Sequence, residues 1–334
     1  MKANVRRAGF LTTVQDAGRE GFRALGVSLG GALDSFALRV ANSLVGNDPG
    51  AAGLEVTLGG LELAFADDRI VAWCGGAFDV RVGPAKIPAG HAALIHSGEE
   101  LKIGPAGNGC RSWLALSGGI DVPVVLGSRS TDLRARFGGF DGRALRDGDE
   151  ISLGENSREA SALIDKLRSK RISEWRPAHD WSSPGSAAPV LRFVQGADWN
   201  RFDDSTIQRF SNESYAVSSE SDRMGVRLRG GQLKPKEDGD LVSEAVAPGT
   251  IQVPPSGQPI LLLGDCQTIG GYPKIANVIT IDFPIAAQLR VGDQVRFREA
   301  SLSDAQRLLL DRTHRFEEFR RGLSLISDEI SRRS

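Results

Sequence analysis

The stretch GDCQTIGGYPKIANVITID, residues 264–282, is entered along an apolar run, PILLL (259–263), and left along another, NVITI (277–281). Between them lie an acid (Asp265), an amide (Gln267), a hydroxyl (Thr268), two adjacent glycines (Gly270, Gly271), a phenol (Tyr272) and a lysine (Lys274). Apolar runs this short, broken by glycine, read as buried strands rather than helices. Polar groups gathered on a glycine-rich loop between two strands mark a site carried by a rigid scaffold.

The same punctuation runs outward along the chain. Forty glycines, most of them between short apolar runs, predict many short strands joined by tight turns. In the first half strands are expected over 70–73, 78–82, 92–95, 112–116 and 150–153. In the second half they are expected over 190–194, 215–218, 251–253, 260–263, 278–281 and 294–297. Regular alternation of strand and helix is missing, which argues against a doubly wound sheet and for β-barrel-like modules.

Three helices interrupt this pattern. Asp34 can cap the first, with Phe36, Ala37, Val40, Ala41 and Leu44 on one face and Gly46 at its end. The second is expected over 157–170, and SSPGSAAP (182–189) after it reads as a linker. The last is a C-terminal amphipathic helix from Ser303, with Ser303 and Gln306 as a capping box and Leu309, Phe316, Phe319 and Leu323 as its apolar stripe. LRDGDEISL (145–153) and LRVGDQVRF (289–297) echo one another, each a Gly-Asp turn feeding an alternating strand. The expected organisation is 1–155, a connector 156–189, a second module 190–300, and the helix 301–334.

Composition narrows the function. With 334 residues and a net charge of -1, the chain has no basic field to recruit nucleic acid or anionic lipid. No apolar run approaches the roughly 20 residues that span a bilayer, and the N-terminus lacks the apolar core of a signal peptide. Three widely spaced cysteines, Cys74, Cys110 and Cys266, suit reduced thiols in a cytoplasm.

Common catalytic signatures are missing or misplaced. GVSLG (26–30) matches G-x-S-x-G, but no apolar strand precedes it and no helix follows at once. There is no phosphate-binding P-loop and no dinucleotide glycine fingerprint. His91 and His96 fall in strand and turn, without metal-ligand spacing, so no metal site is expected.

Four glycine-flanked polar clusters remain. The first, within 14–57, carries Gln15, Asp16, Arg19, Asp34, Asn42, Asn47 and Glu55. The second, within 114–133, sets Ser128, Arg129, Ser130 and Thr131 on a Gly-led turn, a combination suited to carboxylate or phosphate. The third, within 218–254, holds Asp222, Arg223, Ser243, Glu244 and Gln252; the fourth is the loop quoted first. Capping and loop-tying account for Asp34, Asn42 and Asn47. Charge and amide density beyond the needs of a turn point to function at Arg129, Arg223, Asp265, Gln267 and Tyr272.

Taken in order, QDAGREG, GALD, ANSLVGN, GGIDVPVVLGSRST, SDRMGVRL and IQVPPSGQPILLLGDCQTIGGYPKIANVI resemble the allophanate hydrolase subunit 2 family. That family is also called the biotin-dependent carboxyltransferase family, or the family of 5-oxoprolinase C subunits. One departure is clear: the family usually shows Ser-Gly-Ala-Met-Asp where this chain has Gly30-Gly31-Ala32-Leu33-Asp34.

The resemblance implies a mainly β fold with a few helices, as two cyclophilin-like β-barrel subdomains. It also implies two companions in a 5-oxoprolinase complex: a B-like subunit resembling carboxyltransferase subdomains C and D, and an A-like subunit. Three activities occur among such proteins: ATP-dependent opening of 5-oxoproline to glutamate, carboxyl transfer from carboxybiotin to urea, and antagonism of a kinase inhibitor. The chain has no biotinyl Met-Lys-Met sequence, so no attached biotin is expected, and its length best resembles the 5-oxoprolinase component. ATP is then the implied cosubstrate, with Mg²⁺ as a candidate companion and a subunit junction as a candidate location. Such chemistry needs donors and cations around a phosphoryl group and a clamp for the substrate carboxylate. Asp265, Glu244 and Arg223 are the catalytic candidates. Arg129, Ser130, Gln252, Gln267, Thr268, Gly270, Gly271 and Tyr272 are the substrate-binding candidates. Gln15, Asp16, Arg19, Asp34, Glu55 and Asp222 complete the signature.

Overall fold

The computed structural model describes residues 1–182, 189–237 and 241–331. The linker expected at 182–189 lies, apart from its two ends, outside them. The chain divides into two compact units interleaved in sequence. The first comprises Met1–Gly18, Asp34–Gly185 and His314–Ser334; the second comprises Arg19–Leu33 and Ser186–Thr313. The short segment Arg19–Leu33, contiguous by sequence with the first module, thus belongs to the second unit.

The first unit is built on a nine-stranded antiparallel sheet. Its backbone is the long strand Glu100–Leu116, which pairs with Leu61–Phe65 through its first half and with Gly53–Thr57 through its second. The opposite edge pairs with Arg69–Val82, again along nearly its whole length. One length of chain therefore curls the sheet around a core of Val5, Val14, Leu54, Leu63, Val71, Leu114 and Ile151. Strand path Leu11–Gln15, Gly53–Thr57, Glu100–Leu116, Leu61–Phe65, Lys2–Ala8, Glu150–Ser152 does not return to its start, so this module is a curled half-barrel rather than a closed one.

The helix Ser35–Leu44 starts where its sequence predicts, with an Asp34 carboxylate oxygen accepting from the Ala37 amide at 2.8 Å. The helix Arg158–Lys170 is capped by Ser157 in the same way. The C-terminal helix, Leu302–Ser331, begins earlier than expected. Ser301, not Ser303, is its cap: Ser301 Oγ accepts from the Asp304 amide and donates to the Asp304 carboxylate. Of the expected stripe, Phe316 and Leu323 are buried, while Leu309 is exposed. Phe316 packs edge-on against Phe36 at 5.6 Å, and Trp181 stands within 5.1 Å of Phe36.

The second unit is a closed seven-stranded barrel. In order around it run Val190–Gln195, Lys274–Val278, Thr250–Gln252, Ile260–Leu262, Gly225–Arg229, Ser214–Val217 and Gln294–Glu299. The last closes on the first in parallel, Val190 opposite Arg296. Closure removes the free sheet edges. Inside, Phe210 stacks on Phe297 at 4.7 Å, with Phe193 and Tyr215 filling the rest.

The strand expected over 278–281 is displaced: it runs Lys274–Val278, and Thr280–Asp282 form a 3₁₀ turn entering the helix Phe283–Ala286. Two causes act together, one local and one distant in sequence. Pro284 sits in the first turn of that helix, where its fixed φ is favourable. The buried Asp282 carboxylate accepts from the Arg192 amide at 2.7 Å and from its guanidinium, which bends the chain out of the sheet.

The echo between the modules is real at the level of geometry. Gly148 and Gly292 have φ of 88° and 91°. The following aspartates accept from the backbone two residues before the glycine, Asp149 from Arg146 at 2.7 Å and Asp293 from Arg290 at 2.8 Å. Each turn then delivers a strand, Glu150–Ser152 in one and Gln294–Glu299 in the other.

Candidate functional site

The quoted loop folds back on its barrel. After the strand Ile260–Leu262 the chain turns at Gly264, and Ile269–Gly270 pair antiparallel with Glu244–Ala245, Gly270 opposite Glu244. The Val246 amide donates to the Thr268 carbonyl at 3.0 Å and extends this small two-stranded arm. The chain then re-enters the barrel at Lys274, opposite Gln252 in register.

Two ionic clusters organise the arm. Arg223 and Asp265 form a two-point bridge, Nε to Oδ2 at 2.9 Å and Nη2 to Oδ1 at 3.1 Å. Arg223 Nη2 also donates to the Gly31 carbonyl at 2.7 Å, and the Asp265 amide donates to the Arg223 carbonyl. With side chains only 6% and 11% exposed, this pair clamps the root of the loop.

The second cluster centres on Lys274, whose Nζ lies 3.0 Å from Asp198 Oδ2 and 3.1 Å from Glu244 Oε2. The same Asp198 oxygen accepts the Lys274 amide at 2.9 Å. Burial disfavours the ammonium, but the two carboxylates more than offset it and hold Lys274 above the ordinary lysine value. The two acids differ sharply: the Asp198 side chain is 16% exposed and that of Glu244 is 65% exposed.

Gln252 completes this region. It is 1% exposed, and its Oε1 accepts from Gln267 Nε2 at 3.3 Å. Its own Nε2 is buried and has no hydrogen-bond partner among the described residues. A Cβ on Gly270 would come within 2.6 Å of that nitrogen, so glycine is required for the amide to reach this place. Around the rim, Gln267, Ile269 and Tyr272 are exposed, Thr268 and Gly271 half-buried. Cys266 is fully buried against Val246 and Leu262, and burial pushes its thiol up despite the nearby Arg23 guanidinium.

The second unit thus gathers Glu244, Gln252, Gln267, Thr268, Gly270, Gly271 and Tyr272, with the Arg223–Asp265 clamp at the base. Asp222 serves a turn there, its carboxylate accepting from the Met224 and Gly225 amides, and Arg19 is fully buried.

The remaining candidates belong to the first unit, where the structure corrects one expectation. The anion-binding turn 128–131 is already filled by Asp16. Asp16 Oδ1 accepts from the Ser128 and Ser130 hydroxyls, each at 2.6 Å, and Oδ2 accepts from the Arg129 amide at 2.5 Å. Arg129 itself is half-buried, with Nε donating to the Val122 carbonyl. Gln15 Nε2 donates to Thr13 and to the Thr131 carbonyl. Glu55 accepts from Trp113 Nε1 at 2.9 Å, and Asp34 is a helix cap.

Lys274 and Asp198 were missed as functional candidates. Lys274 stands among the polar groups of the quoted stretch, but the sequence does not single it out as a catalytic or substrate-binding candidate. Asp198 lies 76 residues away, and no sequence signal couples the two.

A family model described as "Carboxyltransferase domain, subdomain A and B" matches residues 25–299. The chain belongs to this carboxyltransferase family. Among its members, the 5-oxoprolinase C subunit of Escherichia coli strain K12 is 40% identical over 93% of this chain and 96% of its own length. The protein of the same name from Haemophilus influenzae is 36% identical over 89% of this chain and 90% of its own. The solved Kluyveromyces lactis urea carboxylase superposes with a TM-score of 0.86 at 28% identity over 95% of this chain, which spans 29% of that protein. This carboxyltransferase module has no helix, among the described residues, that is long and apolar enough to cross a membrane.

Proposed function

We propose that this chain is the C subunit of an ATP-dependent 5-oxoprolinase, which opens 5-oxo-L-proline to L-glutamate in a complex with A-like and B-like subunits. The observation that carries this reading is the end-to-end match to two bacterial proteins that bear the 5-oxoprolinase C subunit name. A lactam resists hydrolysis, and phosphorylation of its oxygen by ATP makes the ring carbon open to water. We assign the lactam to the arm of the second unit, where Gln267, Thr268 and Tyr272 offer donors and acceptors around a half-open rim.

The residues expected to take the phosphoryl group do not fit that task on this chain. The Ser128 and Ser130 hydroxyls are held by Asp16, and Arg223 is neutralised by Asp265. We therefore place nucleotide binding with the assembled complex and not with these side chains.

The test is reconstitution of the full chain with its A-like and B-like partners. Glutamate and phosphate should be released from 5-oxoproline only with ATP and only when all three are present. A correctly assembled complex without turnover would overturn the proposal. A second reading, carboxyl transfer in a urea carboxylase system, is favoured by the superposition on the yeast enzyme. It predicts urea-dependent decarboxylation of a carboxybiotin carrier instead.

A further inference from the structure

Lys274 is unusual in being almost buried while holding two carboxylates of opposite character. Asp198 is part of the framework, because one of its oxygens takes both the Lys274 ammonium and the Lys274 amide. Glu244 reaches the same ammonium from solvent, on a two-residue strand, with most of its side chain exposed. Because the Glu244 carboxylate stays in water and is screened there, Glu244 is the more weakly held of the two acids.

A second observation converges on the same place. The unpartnered Gln252 Nε2 lies against Gly270, and Gly270 is the cross-strand neighbour of Glu244. Gln252 and Lys274 are themselves register partners, so their side chains leave the sheet on the same face. A buried amide donor with no acceptor carries a desolvation penalty that an incoming oxygen would relieve.

We propose that Lys274 and Gln252 anchor the carboxylate of the substrate, and that Glu244 is an internal stand-in displaced when substrate arrives. The exchange replaces one carboxylate by another, so the charge around Lys274 is conserved. The incoming group additionally satisfies Gln252, which Glu244 leaves unpaired. This deepens the 5-oxoprolinase reading: it rests on that reading for the identity of the substrate, while the anchor itself requires only a small monocarboxylate.

The experiment is a binding titration of the full chain, alone and in the assembled complex, with 5-oxo-L-proline, acetate and neutral 2-pyrrolidinone. Glu244→Gln removes the competitor at an exposed position and should tighten 5-oxoproline and acetate about 2- to 5-fold, leaving 2-pyrrolidinone unchanged. Gln252→Met and Lys274→Met should weaken the carboxylates at least about 10-fold. If Glu244→Gln leaves carboxylate affinity unchanged, lowers it, or shifts 2-pyrrolidinone equally, the anchor is wrong. Turnover of 5-oxoproline together with that result would retain the function and discard the anchor. Tighter acetate binding by Glu244→Gln, in a complex that does not turn over 5-oxoproline, would keep the anchor and discard the function.

Discussion

At the residue scale, the second unit separates two uses of ionic chemistry that look alike in sequence. Asp265 and Asp198 are both partly buried acids paired with a cation, yet Arg223 is closed off by a two-point bridge and a carbonyl, whereas Lys274 keeps one exposed, replaceable partner. The pairing of Lys274 has a consequence for stability. Its folded value is raised above the ordinary 10.5, because its two carboxylates outweigh burial. A raised lysine contributes stability that is fully present below its unfolded value and is lost as pH rises through the folded one. The difference in denaturation midpoint between the wild type and Lys274→Met should therefore be large at about pH 8 and shrink toward about pH 12. A difference that grew with alkalinity would contradict the pairing.

Among the elements, the repeated Gly-Asp turn is the clearest device. Gly148 and Gly292 hold positive φ, and a side chain at either would meet nothing within 4 Å. Substitution there isolates backbone strain from crowding. Gly148→Ala and Gly292→Ala should each cost about 1–2 kcal/mol, with asparagine milder than alanine at both positions. Denaturant unfolding checks this, and unequal costs would mean that the two turns are alike only in outline. These turns were legible because the dipeptide and the alternating strand behind it are local features. The strand at Lys274–Val278 was misplaced because the chain bends at Asp282, whose partner, Arg192, lies 90 residues away.

For the molecule as a whole, interleaving is the main finding. The first unit includes the end of the C-terminal helix, where Phe316 is 1% exposed against Phe36 and Trp181. Phe316→Ala should cost the first unit about 3–5 kcal/mol, by the cavity it leaves among aromatic rings. A thermal scan of the full chain tests this, with Leu309→Ala, at an exposed position of the same helix, expected to leave the midpoint nearly unchanged. Comparable losses for both would mean that the helix contributes through its length rather than through this contact.

The sequence alone determined the β character, the cap at Asp34, the paired turns and the ordered polar blocks that identify the carboxyltransferase family. All of these depend on residues within a few positions of one another, where propensity and hydrogen bonding act locally. Tertiary structure alone decided that one module closes and the other does not, that Asp16 fills the turn expected to bind an anion, and that Lys274 meets Asp198. Those outcomes depend on groups brought together from distant parts of the chain. The spacing of residues along a sequence carries no record of such encounters, because barrel closure and burial set them only after the strands have paired.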